Sequence, residues 1–95
     1  MEWPGFDSSA AGKPGSMGQA MRAYILINVK PGRIREVLSA IGRLPGVQHA
    51  DACWGLPDVF AYVETPTEHS LHHLVMDEIQ KLEGVERTET HIVVE

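Results

Sequence analysis

The order of apolar runs, helical stripes and turn residues predicts a ferredoxin-like α+β domain of the dimeric α/β-barrel type. It has the order βαββαβ, with a four-stranded antiparallel sheet and two helices on one face. Three observations lead there. The segment Ile41-Gly42-Arg43-Leu44-Pro45-Gly46-Val47-Gln48 is echoed by Ile79-Gln80-Lys81-Leu82-Glu83-Gly84-Val85-Glu86, an offset of 79 − 41 = 38 residues. The same offset carries Ala23-Tyr24-Ile25 onto Ala61-Tyr62-Val63, so two strands and the ends of two helices recur at one spacing. Right-handed crossovers in two such βαβ units place both helices on the same face of the sheet. Thirdly, Ala52 to Glu64 reads as two strands joined through a tight Gly55-Leu56-Pro57-Asp58 turn. Gly55 admits positive φ, Pro57 fixes its own φ, and Asp58 can bond nearby backbone amides.

Taken in order, residues 1–20 are rich in Gly, Ser, Ala and Pro, with Trp3 and Phe6 as their only aromatics. They lack periodicity and read as a flexible or extended tail ahead of one domain over residues 21–95. Ala23 to Val29 is a β-branched, apolar run stopped by Lys30-Pro31-Gly32, expected as a strand buried on both faces. Ile34, Val37, Leu38 and Ile41 follow at helical spacing, and Leu44-Pro45-Gly46 ends that helix. Val47 to Trp54 is the second strand and Val59 to Val63 the core of the third. Thr65-Pro66-Thr67-Glu68 fits a capping box with Thr65 as N-cap, Pro66 at the first helical position and Glu68 reaching back. Leu71, Leu74, Val75, Ile79 and Leu82 form the stripe of the second helix, Gly84 suits the left-handed position past its end, and Glu86 to Glu95 is the last strand.

Composition narrows the function. At 43% apolar and 22% charged the chain is globular, and a net charge of −5 argues against direct binding of nucleic acid, which needs clustered Lys and Arg. Cys53 is the only cysteine, so no intrachain disulfide forms and a reducing, cytoplasmic setting is expected. No run approaches a membrane span and no signal-peptide pattern opens the chain. The first strand has Tyr24 and Leu26 on one side and Ile25, Ile27 and Val29 on the other. Helices cover only one of those sides, so the other calls for a second subunit packed sheet to sheet.

Ala23 to Val94 resembles the ligand-binding and oligomerisation (RAM) domain of the Lrp/AsnC, or feast/famine, regulators. The matching segments are Ala23-Tyr24-Ile25-Leu26-Ile27, Leu44-Pro45-Gly46-Val47, Gly55-Leu56-Pro57-Asp58-Val59, and Gly84-Val85 followed by Arg87-Thr88-Glu89-Thr90-His91-Ile92-Val93. Pro57 stands where the family's Gly-x-Tyr-Asp turn has tyrosine. The resemblance implies a non-enzymatic, amino-acid-sensing module of the stand-alone type, without its own DNA-binding domain. It also implies dimers that assemble further, to octamers, and co-assembly with DNA-binding relatives. Effectors in such proteins bind where dimers meet, beside the Gly-x-x-Asp turn.

The residues themselves suggest how. Asp58 can pair with a ligand ammonium, and backbone N–H groups near Gly55 can hold a carboxylate. Trp54 or Leu56 can cover a side chain, with Thr88 and Thr90 as further candidates. Asp58 suits a turn-stabilising Asx bond equally well, and Trp54 suits oligomer packing. No cofactor or resident metal is expected, although His69, His73 and Asp77 share a helical face at i, i+4 and i+8, a chelating spacing. Two other functions use the same fold. Small dimeric monooxygenases would cast Asn28, Trp54 and His72 in an apolar cavity, and a bare assembly module would bind nothing.

Overall fold

The computed structural model describes residues 20–94, so nearly all of the expected tail lies outside the described residues. The elements are β1 (Met21–Val29), α1 (Ile34–Gly42), β2 (Val47–Ala52), β3 (Val59–Thr65), α2 (Glu68–His73, running on as a π-helix over Leu74–Ile79) and β4 (Val85–Ile92). The four strands form one sheet in the order β2-β3-β1-β4, antiparallel throughout. This is the predicted ferredoxin-like topology. Among the described residues no helix is long and apolar enough to cross a membrane.

The core lies between the sheet and the two helices. Ala23, Ile25, Ile27 and Val29 of β1 and Val59, Ala61 and Val63 of β3 point into it and meet Val37, Ile41, Leu71, Leu74, Val75 and Ile79. The expectation that β1 is buried on both faces needs correction. Its alternate residues, Arg22, Tyr24, Leu26 and Asn28, are only half-buried, because no described helix or strand lies across that face.

Both copies of the repeat leave their helices in the same way. Leu44 N–H donates to Ile41 O (3.0 Å) and Val47 N–H to Leu44 O (3.2 Å); Leu82 N–H donates to Ile79 O (3.1 Å) and Val85 N–H to Leu82 O (3.2 Å). Ile41 and Ile79 are fully buried, and Gly46 and Gly84 take φ of 96° and 103°, a region that favours glycine.

The start of α2 differs from its prediction. Thr67, not Thr65, is the N-cap: its hydroxyl accepts from Ser70 N–H (3.0 Å), and Ser70 Oγ accepts from Thr67 N–H (3.1 Å). Thr65 stays in β3 because it pairs with Met21, and its hydroxyl donates to Thr67 O. Ser70 therefore does what Glu68 was expected to do. From Leu74 the helix widens, with Gln80 N–H reaching back to Val75 O at 2.9 Å. The outer strands are shorter than predicted: β2 stops at Ala52, where Cys53 turns to close the next loop, and β4 stops at Ile92.

A Cβ on Gly84 would lie 3.0 Å from Arg33 Cβ and from Val37 Cγ2, whereas one on Gly42 would meet nothing within 4 Å. Gly84→Ala is therefore expected to lose about 1–3 kcal/mol of stability. Gly42→Ala is expected to be neutral or to gain up to about 1 kcal/mol. Urea denaturation of the two variants checks the contrast.

Candidate functional site

The stretch from Cys53 to Asp58 links β2 to β3 beside the end of β1. It is a six-residue loop rather than a tight turn, closed by Cys53 N–H donating to Asp58 O at 2.7 Å. Asp58 ties this loop to the sheet. Its N–H donates to Ile27 O (3.0 Å), and its Oδ2 accepts from Val29 N–H (2.9 Å). The β1–β3 ladder ends at Ile27 and Val59, and the β1–β4 register shifts between Asn28 and Val29. The carboxylate thus bonds the Val29 amide left over where the β1–β3 ladder ends. The brace weighed for Asp58 is real, although its partner lies 29 residues away rather than within the turn. Oδ1 accepts no hydrogen bond among the described residues.

Gly55 has φ 107° with nothing within 4 Å of its would-be Cβ, and the Leu56–Pro57 peptide is cis. Trp54 is 101% exposed and Leu56 76%, so both side chains project from a loop whose base is fixed. Trp54, Gly55, Leu56 and Asp58 are accordingly together, at one end of the sheet. Thr88 and Thr90 are elsewhere. Paired with Ile27 and Ile25, they lie on the helix side of β4, two strands from β3. Thr88 accepts from Gln80 Nε2 at 2.8 Å. Thr90 lines a groove of about 190 Å³ between α2 and β4 with Leu71, His72, Val75, Met76 and Ile92.

The three residues considered for oxidative chemistry do not converge. Asn28 is on the sheet face away from the helices, Trp54 projects from the loop, and His72 is exposed on α2. Nor do the α2 histidines build a chelate. His73 Nδ1 meets Asp77 at 2.8 Å and Nε2 meets Glu78 at 3.4 Å, so its own helix occupies both ring nitrogens. The widened π turn allows positions i+4 and i+5 to approach one residue together. Among the described residues no group of three or more His, Cys, Asp or Glu is placed to hold a metal ion.

A second surface is the sheet face opposite the helices. One row across it runs His91, Tyr24, Tyr62, His49, and the next runs Glu89, Leu26, Phe60, Asp51. The centre is aromatic and aliphatic, with Tyr24 and Tyr62 tilted at 47° and 5.1 Å apart. The edges are polar: His49 lies 2.7 Å from Asp51 and His91 3.0 Å from Glu89. Tyr62 is 4% exposed, and its hydroxyl donates to Glu64 (3.1 Å). Burial first, then the bond to Glu64 and its negative charge, push the phenol up to about 12, against a smaller opposing effect of Arg22.

The family model for the Lrp/AsnC ligand binding domain matches residues 22–95. The chain belongs to this family. The Lrp/AsnC domain here is 32% identical over 85 residues to the HTH-type transcriptional regulator FL11 of Pyrococcus furiosus, covering 90% of this chain and 56% of that one. It spans about half the length of the curated relatives it matches. Among solved structures, TTHA0845 from Thermus thermophilus is 33% identical with a TM-score of 0.76, covering 79% of this chain and 94% of that one. A transcriptional regulator of Neisseria meningitidis, solved as an L-Met complex, shares the fold at 19% identity and a TM-score of 0.76, covering 92% and 64% of the two chains.

Removing the Asp58 carboxylate leaves the amide of nearly buried Val29 unpaired. Asp58→Ala is therefore expected to cost about 1–3 kcal/mol, while Asp58→Asn, which keeps an acceptor, costs less than about 1 kcal/mol. Urea midpoints of the two variants test this. For Tyr62 the raised value means that the unfolded chain loses its proton near pH 10 while the folded chain keeps it. The unfolded state then binds fewer protons, so stability is expected to fall as pH rises from about 10 to about 12. Tyr62→Phe removes that part of the fall, which denaturation at a series of alkaline pH values measures.

Proposed function

We propose that this Lrp/AsnC domain is a non-enzymatic, cytoplasmic module that binds an amino acid or related small molecule and couples binding to assembly in transcription regulation. The observation that carries the proposal is the ligand-binding-domain match over residues 22–95, with a Cys53–Asp58 loop braced through Asp58 at the position the family resemblance marks. The relatives are named transcriptional regulators, and the Neisseria structure with the same fold holds an amino acid.

The chemistry of the turn fits such a ligand. Asp58 Oδ2 is committed to Val29, which leaves Oδ1 to meet an ammonium. Backbone N–H groups around Gly55 meet the carboxylate, and Trp54 and Leu56 supply apolar cover. Thr88 and Thr90 stand outside the site that one chain builds. Assembly begins on the Tyr24–Leu26–Phe60–Tyr62 face, where a second copy placed sheet to sheet buries the aromatic centre and leaves the polar edges at the rim. Such dimers associate further toward an octamer and with DNA-binding relatives.

A thermal-shift screen against the amino acids tests the sensing. A ligand that binds only the native state adds about 2.7 kcal/mol at one hundred times its Kd, so at least one amino acid is expected to raise Tm by several degrees. Asp58→Asn is expected to weaken that ligand at least about thirty-fold, through loss of a charge-assisted contact. A screen with no shift at millimolar concentrations rejects the sensor. Light scattering tests assembly separately, and a monomer mass at micromolar concentration rejects that part.

A further inference from the structure

Among the described residues, the large apolar side chains left exposed are Trp54, Leu56, Met76, Ile92 and Val94. Trp54 and Leu56 belong to the loop between β2 and β3. Met76 and Ile92 line the groove between α2 and β4, and Val94 lies just past the end of that strand. Leu71 and Val75 add apolar surface to the groove, while Glu68 and Thr90 bring oxygen atoms to it. Its volume is about 190 Å³. Sites for drug-sized ligands run from about 300 to 1,000 Å³. The groove is therefore of a size for one side chain.

The chain brings its own candidate to the edge of this groove. Val93 N–H donates to Arg22 O (2.8 Å) and Ala23 pairs with Ile92, so the backbone enters β1 beside the end of β4 that carries Ile92. Residues 1–19 precede that entry, with Trp3 and Phe6 as their only aromatics. Ala20 stands three residues before Ala23, about 10 Å along the strand direction. From Ala20 back to Trp3 is 20 − 3 = 17 residues, a length that reaches up to about 55–60 Å. Tether length therefore does not keep Trp3 from the groove. The other tryptophan is badly placed: the Trp54 loop lies beyond the Val59–Ile27 row, four residues along β1 from the Ala23–Ile92 pair, and beside the opposite edge of the sheet.

We infer that the segment ahead of β1 folds back on its own chain and seats the Trp3 indole in the α2–β4 groove. Trp3 fits better than Phe6, because a buried indole N–H needs an acceptor and the oxygens of Glu68 and Thr90 supply one. An aromatic side chain buries about 150–250 Å², too little to hold two separate molecules together. A tethered one needs far less, since it meets its site at an effective concentration on the order of millimolar. That difference favours the chain's own segment over an outside partner. Thr90 and Ile92 pair with the core-facing Ile25 and Ala23, so the groove opens on the helix side of the sheet. Docking there leaves the Tyr24–Phe60 face open to a second copy. The contact covers an apolar strip at Met76 and Ile92 and does not rest on the sensing function.

Trp3 fluorescence tests it. The chain has two tryptophans, so Trp54→Phe leaves Trp3 as the sole indole, and the substituted position is fully exposed. In that background Trp3 is expected to emit to the blue of the urea-unfolded chain and to be quenched several-fold less by acrylamide. Adding Met76→Glu/Ile92→Glu, at two further exposed positions, is expected to abolish both effects. Circular dichroism with a thermal melt confirms that each variant is folded. Trp3 emission like that of the unfolded chain overturns the inference. Protection that survives the groove substitutions also overturns it, because Trp3 then lies elsewhere. The groove variant is finally refolded from urea together with an equal amount of Trp54→Phe protein lacking residues 1–19. Trp3 is expected to stay unprotected there; recovered protection shows docking on a second copy and overturns the intrachain contact.

Discussion

Antiparallel pairing of β1 with β3 is the constraint on which the rest of the molecule depends. Its register sets Tyr24 opposite Tyr62, Ala23 opposite Val63 and Ile25 opposite Ala61. Tyr24 and Tyr62 are also equivalent positions of the internal repeat, at an offset of 62 − 24 = 38. An approximate two-fold axis therefore runs between their rings, relating one βαβ unit to the other. Given that axis and right-handed crossovers, β2 and β4 must take the two edges and both helices must lie on one face.

The same constraint divides the surface into regions of different character. One sheet face is buried beneath Val37, Ile41, Leu71 and Ile79, and the other presents four half-buried to buried apolar residues at its centre. Near the end of the β1–β3 ladder the pairing is interrupted, and the Asp58 carboxylate satisfies the amide of Val29. A side chain standing in for a ladder bond holds the adjoining loop in place. That is how Trp54 remains on a defined base while making almost no contact with its own chain.

What the sequence reveals and what it conceals divide along local and non-local interactions. The helix exits at Leu44-Pro45-Gly46 and Leu82-Glu83-Gly84 are legible because burial of one isoleucine and a positive-φ glycine are both local demands, and both occur twice. The start of α2 is not, since Thr65 and Thr67 both suit an N-cap and pairing with Met21, 44 residues away, decides between them. Asp58 is similar: its residue type permits a brace or a ligand contact, and only the fold supplies Val29 as partner. The widening of α2 also escapes, because Leu71, Leu74, Val75 and Ile79 make an apolar stripe in either kind of helix. The grouping of Trp54 with Leu56 follows from their neighbouring positions, but the separation of Thr88 and Thr90 from them depends on strand order.

The interleaving of the two units bears on how the chain acquires its structure during synthesis. Only β2 and β3 form a hairpin, with Ala52 and Val59 paired at the closed end. The central pair must first close a loop of 59 − 27 = 32 residues, and Val29 waits for Val85, 56 residues on. Loop closure costs entropy before burial repays it, which makes such topologies slow to condense. A nascent chain consequently carries one open edge of its most apolar strand until residues 85–92 have left the ribosome. Neither half can complete a sheet in advance of the other.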